Sequence, residues 1–452
     1  MTSGSVRERL VSHSVGGRWS TFLGVGTGLA ILGFILAWRG IATGAGDRVW
    51  QMLHVNYLFF TSLAFGSVAL AAAHKIARAK WSGVVLRFSE AAVAFLPLSL
   101  VILVLIFLFG YEPVFGPMRD QLPSLSPGKA LWLSKGFLFG RLFVGTLVLT
   151  WIGWRLVKHD MLPDVHLARS VVAGGRRSLY EKWSRAFDGS AEASAANDVR
   201  ISKFAGVYLV VYAIVMTMLG FDAVMGLQPH FYSNLFGGYF FMGAFLEAHM
   251  LLALLMMYGA RQLGIGDLVS PKQRHDLGKL CFGFTVFWGY LMWAQFLVIW
   301  YGNMPEETGF VFARLWGHWL IIGEMVFFGM FLIPFIGLLG VLPKKTPVTL
   351  GLFATVSLLG FWLERYLLVA PSVSSMPGPA FGVADLAPTF LLAGLFLVCY
   401  ALFARTFPMV SPRLAEITIN RELGHHGVEV YDHEDQDKDY LHEGEVEHPA
   451  NP

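Results

Sequence analysis

The sequence predicts an all-α integral membrane protein with about ten transmembrane helices, and three observations support this prediction. Hydrophobic residues make up 55% of the chain and charged residues 14%, whereas a soluble domain carries roughly 25% charged residues. Apolar runs long enough to cross a bilayer, which takes about 20 residues, recur along the whole chain. Lys and Arg concentrate in every second connection between these runs, as the positive-inside rule requires.

The apolar runs predict where each transmembrane helix lies to within a few residues. The ten runs cover residues 19–38, 52–74, 91–110, 135–157, 203–221, 236–258, 279–300, 317–340, 347–369 and 386–405. The first run follows a short basic N-terminus (1–18) and has no small-residue cleavage site after it. We therefore interpret it as a retained span and not as a signal peptide.

The distribution of basic residues predicts the side on which each connection lies. With the N-terminus, the even-numbered connections and the tail on one side, that side holds 24 Lys and Arg residues and the other holds 5. Because basic residues favour the cytoplasmic side, both termini are expected in the cytoplasm. The basic connection 155–202 is then a cytoplasmic linker. The acidic, His-containing tail (406–452) is interpreted as a solvated or partner-docked segment, with metal binding as the alternative.

A faint internal repeat predicts how the spans group. The sequence Asn56-Tyr-Leu-Phe-Phe opens the second apolar run, and Gly238-Tyr-Phe-Phe opens the sixth. Both runs start on the same side, so an offset of four helices preserves orientation. This pattern predicts two parallel four-helix bundles, one within 52–221 and one within 236–369, with the first and tenth spans peripheral.

The cysteines and histidines argue against a cofactor held by this chain. Cys281 and Cys399 both fall in apolar runs, so no disulfide framework, haem-attachment motif or cysteine cluster is expected. No histidine pair repeats at the spacing of a two-haem cytochrome, although His54 and His318 have similar predicted depths. We therefore expect no cofactor bound covalently or through metal ligands.

Several ionisable side chains fall inside the predicted spans, where each charge costs at least about 2.5–3.5 kcal/mol on insertion scales. Glu247 is the most informative because it lies at mid-span, where desolvation disfavours the charged form of a carboxyl group. Such a group can take up and release a proton near neutral pH. The candidates for a proton path are Glu247, His249, Glu324, Asp222, Arg141, Glu364 and Arg365.

A purely structural interpretation of the same residues stays open. Glu247 is then a neutral, hydrogen-bonded side chain, and His249 points to a different face of the same helix. The neighbours Glu364 and Arg365, and the more distant Arg141 and Asp222, are then ion pairs that hold the helices together. No residue is assigned a catalytic role.

The most specific segment of the chain is 275–308, HDLGKLCFGFTVFWGYLMWAQFLVIWYGNMPEET, an aromatic-rich span that stops abruptly at Asn303 and Pro305. Together with 219–241, LGFDAVMGLQPHFYSNLFGGYFF, it resembles a membrane subunit of alternative complex III, the bacterial quinol:electron-acceptor oxidoreductase. That subunit belongs to the polysulfide-reductase NrfD-like family, and this chain resembles the second, smaller NrfD-like copy. The resemblance extends over nearly the whole chain, including 56–60, 87–97 and 334–335.

The resemblance implies a subunit of an electron-transport complex in the bacterial cytoplasmic (inner) membrane. Such a complex oxidises menaquinol or ubiquinol near the outer face and passes electrons to iron–sulfur and c-type haem subunits, then to a cytochrome c or a terminal oxidase. NrfD-like subunits hold no redox metal, and this chain is expected to work beside a second NrfD-like subunit. Because the larger copy is generally credited with the quinol site, this copy is expected to provide a proton path or a scaffold.

The second span adds candidates for a quinone contact. His54, Asn56 and Tyr57 resemble in kind the polar set that binds quinone in related subunits, and they are expected at the outer surface. Two other functions stay open, a stand-alone secondary transporter and a purely structural membrane anchor for the redox subunits. A parallel repeat and the lack of paired broken helices count against a transporter. No nucleic-acid partner is expected.

Overall fold

The computed structural model describes residues 3–373 and 378–422. Within these residues there is no β-strand, and ten helices are long and apolar enough to cross a membrane. The chain is therefore an all-α multi-pass membrane protein, as predicted. In chain order the spans are Trp19–Ala42, Gly46–Ile76, Leu86–Phe109, Lys135–Ala168, Ala191–Ala223, Phe236–Gln262, Pro271–Gly302, Gly317–Gly337, Pro347–Val373 and Val383–Thr406.

Shorter helices fill the connections. Those of five residues or more are Ser3–Ser14, Tyr111–Arg119, Pro127–Trp132, Gly174–Ser184, Pro305–Leu315, Val341–Lys345 and Pro412–Glu422. The connection 155–202 is largely helical, because span 4 continues to Ala168 and span 5 begins at Ala191. A hydropathy window misses such extensions, since the helix continues after its residues turn polar.

Helix packing arranges spans 2–5 as one group of four and spans 6–9 as another. Within each group every span contacts the next one along the chain, and the first also contacts the last. The two groups meet chiefly where spans 2 and 6 cross. Gly66 makes this crossing possible, because a Cβ atom there would lie 2.2 Å from the carbonyl oxygen of Ala244. Small residues allow such close approach between membrane helices.

Spans 1 and 10 form a pair on the outside of the first group, where they contact spans 2 and 3. Their backbones touch at two glycines. A Cβ atom on Gly33 would lie 2.2 Å from the amide nitrogen of Leu391, and one on Gly394 would lie 2.3 Å from that of Ala30. The pair therefore depends on small residues at its centre.

Both described ends of the chain lie on one side of the helices. The amide of Met409 donates to the carbonyl of Ser14 at 2.8 Å, and the helix Ser3–Ser14 contacts the helix Pro412–Glu422. We call this the inner side and the opposite one the outer side. The cytoplasmic location of the inner side stays a prediction, and the predicted His-rich tail after residue 422 lies outside the described residues.

Two spans depart from regular α-helix. Span 3 contains a 3₁₀ turn at Ala91–Phe95, and span 8 contains a π-helical segment at Phe327–Leu332. Pro334 follows that segment and lacks the amide hydrogen that a regular helix needs, which explains a local rearrangement. An offset of four helices pairs span 4 with span 8, so the two interruptions are not related by the repeat.

Candidate functional site

A buried ionic network lies at the junction of spans 2, 6 and 9. Arg365 stands between two carboxyl groups: its Nη2 atom is 3.9 Å from Oε2 of Glu247, and its Nη1 atom forms an ion pair with Glu364. The hydroxyl of Ser62 donates to Glu247 Oε2 at 2.9 Å. The side chains of Glu247 and Arg365 are not exposed at all, and that of Glu364 is 2% exposed.

The charges of this network do not balance when all of its groups are ionised. Its two carboxyl groups and one guanidinium carry a net charge of −1 when all are ionised, and 0 when one carboxyl group is protonated. Burial of an uncompensated charge is costly. Oε1 of Glu247 and Nε of Arg365 also have no hydrogen-bond partner among the described residues. Such unpaired buried atoms are uncommon in folded proteins.

The network opens into a cavity of about 360 Å³ on the outer side, between spans 6, 7, 8 and 9. Its walls are mainly aromatic and aliphatic, with Trp288 and Phe296 from span 7 and Phe327 from the π-helical segment of span 8. Glu364 and Tyr239 also line it, and the Tyr239 hydroxyl donates to Glu364. Glu364 therefore belongs both to the cavity and to the buried network.

Arg314 supplies a second polar group to the same cavity. Its side chain is only 3% exposed, and no carboxylate of the described chain forms an ion pair with it. Its guanidinium donates instead to the Leu368 carbonyl at 2.6 Å and to the Ser372 hydroxyl at 2.7 Å, and it lies 3.3 Å above the Phe310 ring. Buried cations are normally paired, so an uncompensated one that lines a cavity favours a ligand with hydrogen-bond acceptors.

The abrupt end of span 7 explains how Arg314 reaches this position. The span ends at Gly302, and Asn303 takes a left-handed conformation with φ 45°. Pro305 then begins a new helix, Pro305–Leu315, with Glu306 and Glu307 in its first turn, where carboxylates are stabilised by the helix dipole. This helix covers the cavity and carries Arg314 on its buried side.

Only three of the seven predicted proton-path residues come together, namely Glu247, Glu364 and Arg365. Glu324 lines the cavity, but its side chain is exposed and lies outside the network. Arg141 and Asp222 form a separate ion pair of 2.9 Å at the outer ends of spans 4 and 5. His249 is turned away from the network, with Nδ1 2.7 Å from the carbonyl of Phe245. The proton-path role of all seven stays a prediction.

The quinone contact predicted for His54, Asn56 and Tyr57 stays a prediction, but these side chains do not lie on the protein surface. All three side chains are buried, and none of them lines the cavity. His54 Nε2 lies 2.8 Å from the Ala223 carbonyl, and Asn56 Oδ1 accepts from the Trp362 indole at 2.9 Å. The reason is that span 2 begins at residue 46 and not at 52, which places these side chains more than two turns inside the helix.

Arg314 and Tyr239 were not predicted as site residues. A signal for Arg314 was present, because it is the single Lys or Arg residue in the outer connection 301–316. No such signal marked Tyr239, whose tyrosine motif was read as part of the repeat. Its partner Glu364 is 125 residues further along the chain.

A second buried charge cluster lies near the inner side and was also missed. Arg87 pairs with Asp160 and Asp164, each at 2.7 Å, and with Glu90 at 2.9 Å. Ser411 closes the cluster by donating to Asp164 at 3.0 Å. Arg87, Glu90, Asp160 and Asp164 lie just beyond the apolar runs that predicted spans 3 and 4, so they were not among the charges expected inside the spans.

No protein-family model matches the chain, and no curated protein matches it. In residues 3–373 and 378–422 no group of three or more His, Cys, Asp or Glu side chains is arranged to hold a metal ion. Fold and site together define an all-α multi-pass membrane protein with a buried ionic network that opens into an apolar cavity on the outer side.

Proposed function

We propose that the chain is a membrane subunit of a quinol:electron-acceptor oxidoreductase of the alternative complex III type, in the bacterial cytoplasmic membrane. In this proposal the chain binds the head group of a menaquinol or ubiquinol and passes its protons into the buried network. The observation that carries the proposal is that Glu364 both lines the cavity and forms an ion pair with Arg365.

The cavity suits an amphipathic ring with a long apolar tail. Trp288 and Phe296 provide flat apolar walls, and the cavity is open, so an isoprenoid tail can leave toward the lipid. This proposal uses two of the polar groups in the cavity wall, Arg314 and Glu364. Nε of Arg314, which has no hydrogen-bond partner among the described residues, offers a donor to a quinone oxygen. Glu364 offers an acceptor to a quinol hydroxyl.

The chemistry divides between this chain and its partners. Oxidation of one quinol breaks two O–H bonds and releases two protons and two electrons. Glu364 accepts the protons one at a time, and Glu247 is the next carboxyl group beyond Arg365. The electrons go to an iron–sulfur or c-type haem centre of a partner subunit. A second NrfD-like subunit and the terminal acceptor complete the proposed assembly.

A stand-alone secondary transporter is the second candidate, and one observation favours it. Span 8 is π-helical at Phe327, where it lines the cavity, and transporters bind their substrates beside interrupted helices. The two proposals differ in their partners, because a transporter needs no redox subunit. A purely structural anchor differs from both in that substitutions within the buried network would leave its activity unchanged.

A gentle-detergent purification tests the proposed assembly. Co-elution of c-type haem and iron–sulfur subunits, together with extractable quinone, is the expected result. Glu364→Gln in that complex is then expected to lose most quinol oxidation, whereas the exposed outer variant Glu306→Gln retains it. Elution of the chain alone and free of haem would favour the transporter. Full quinol oxidation by Glu364→Gln within an intact complex would contradict the proposed proton transfer and favour the anchor.

A further inference from the structure

The inner ends of spans 7 and 9 carry a dense group of basic side chains that the proposed function does not use. It comprises the start of span 7 and the short helix Val341–Lys345 that precedes span 9. We call it the inner basic cluster, and its members are Lys272, Arg274, His275, Lys279, Lys344 and Lys345. One acidic residue lies within these two segments, Asp276, which pairs with Lys279 at 2.7 Å.

Two members of the inner basic cluster, Arg274 and Lys344, form no ion pair with any carboxylate of the described residues. Arg274 donates to the backbone carbonyls of Lys345 at 2.8 Å and Val269 at 2.7 Å. Lys344 is only 7% exposed, and its Nζ atom lies 3.4 Å from the Leu339 carbonyl. Carbonyl groups satisfy these donors without cancelling their charge, so the cluster keeps a local excess of positive charge.

Two cavities adjoin the cluster, and Lys272 lines both. The first, of about 300 Å³, is also lined by the apolar side chains of Trp81 and Leu280 and by the polar side chains of Lys80, Lys279, Thr418 and Asp276, the last of which is paired with Lys279. The second, of about 470 Å³, is also lined by His275 and Lys345. Cationic side chains at the inner end of span 7 lie next to the apolar side chains of Leu280 and Trp81. This combination matches the two halves of a lipid, a charged head group and its acyl chains.

We propose that the inner basic cluster binds an anionic phospholipid, with its phosphate at Lys272 and an acyl chain against Leu280 and Trp81. Basic pockets between membrane spans on the cytoplasmic side are suited to anionic head groups. The excess positive charge of the inner basic cluster favours anionic over zwitterionic lipids. The apolar side chains of Leu280 and Trp81 favour a lipid over a free anion. This site is separate from the outer cavity, so the inference does not depend on the proposed function.

Native mass spectrometry of the full chain, released from nanodiscs, measures this selectivity. The nanodiscs contain phosphatidylcholine with a minor fraction of phosphatidylglycerol. The test variant is Lys272→Gln combined with Lys279→Gln and Lys345→Gln, all side chains outside the core whose loss leaves the core intact. The control is Arg169→Gln combined with Lys182→Gln and Arg185→Gln, three inner residues outside the core with the same total charge.

The wild type and the control are expected to retain phosphatidylglycerol over phosphatidylcholine, and the test variant is expected to lose this preference by about fivefold for each cation removed. Equal retention by wild type and test variant would overturn the proposal. Equal loss in test variant and control would also overturn it, because the effect would then be a general one of net charge. Complete displacement of the bound lipid by inorganic phosphate would overturn it as well and identify a free-anion site instead.

Discussion

Arg365 and Glu247 face each other across spans 9 and 6, with Nη2 and Oε2 3.9 Å apart and neither side chain exposed. Arg365 also pairs with its sequence neighbour Glu364. A single cation thus compensates two buried carboxyl groups that belong to different helices. Substitution of Arg365 is therefore expected to destabilise the network most. The two carboxyl groups are expected to differ in function, since only Glu364 lines the cavity.

Arg365→Gln is expected to destabilise the protein strongly, because it leaves two buried carboxyl groups without their cation. Removal of one partner from a buried ion pair typically costs about 3–5 kcal/mol. Addition of Glu247→Gln to Arg365→Gln is expected to recover part of this loss, so the two changes are not additive. Thermal unfolding of the four proteins of this double-mutant cycle, in detergent, measures the coupling. Strict additivity would show that the 3.9 Å contact carries no energy.

Glu247→Gln alone tests the proton path. Gln keeps the size of the side chain and its hydrogen bond to Ser62, but it cannot take up or release a proton. We expect quinol turnover and membrane-potential generation by the intact complex to fall by about a hundredfold or more, roughly the scale of lost acid–base catalysis, while assembly is retained. Ser62→Ala serves as a milder comparison. Unchanged turnover and potential in Glu247→Gln would lead us to abandon the relay.

Arg314→Leu tests the ligand chemistry of the outer cavity. The change keeps an apolar side chain beside Phe310 but removes the uncompensated guanidinium that lines the cavity. A hydrogen bond to a charged group contributes about 1.5–3 kcal/mol, so a short-chain quinone is expected to bind roughly tenfold or more weakly. Quenching of tryptophan fluorescence, with Trp288 in the cavity wall, reports binding. Arg119→Leu, at an exposed outer position, is the control, and equal affinity in both variants would contradict the assignment.

The length of the apolar runs and the distribution of Lys and Arg predicted the ten spans, because both can be read from the sequence without knowing how the helices pack. The same information predicted the Glu364–Arg365 pair, since the two residues are adjacent. It did not predict the contact of Arg365 with Glu247, 118 residues away along the chain, because that contact depends on how spans 6 and 9 are rotated about their axes. His54 shows the same limit, since the predicted start of span 2 at residue 52 placed at the surface a side chain that is buried.

Asp267 provides a pH-dependent contact at the inner side, outside the spans. The Arg9 guanidinium donates to both of its oxygens, at 2.8 and 2.9 Å, and these bonds hold the pKa of Asp267 below its ordinary value. A carboxyl group whose pKa is lowered in the folded state stabilises that state at pH values above its unfolded-state pKa, about 3.9 for Asp. This stabilisation is lost as the pH falls through the folded-state pKa.

The N-terminal helix is therefore expected to loosen below about pH 4, by less than about 1 kcal/mol because both side chains are partly exposed. Hydrogen exchange of the amides of residues 9–14, measured across this pH range, detects the change. In Asp267→Asn the N-terminal helix is expected to exchange its amide hydrogens faster at neutral pH. The change in exchange rate that Asp267 causes below about pH 4 is expected to be absent. An identical pH profile in the wild type and in Asp267→Asn would assign the effect to other groups.

Gly66 tests the packing on which the site depends. A Cβ atom at this position would lie 2.2 Å from the backbone oxygen of Ala244, and the backbone has no flexible end that can move aside. Gly66→Ala is therefore expected to separate spans 2 and 6 and to displace Ser62 from Glu247, although Ala ordinarily stabilises a helix by about 0.5–1 kcal/mol relative to Gly. The matched control is Gly283→Ala in span 7, where an added Cβ atom would meet no described atom within 4 Å. Size-exclusion profiles and thermal unfolding of the two variants measure the difference, and a stable, monodisperse Gly66→Ala protein would contradict so close a crossing of the two central helices.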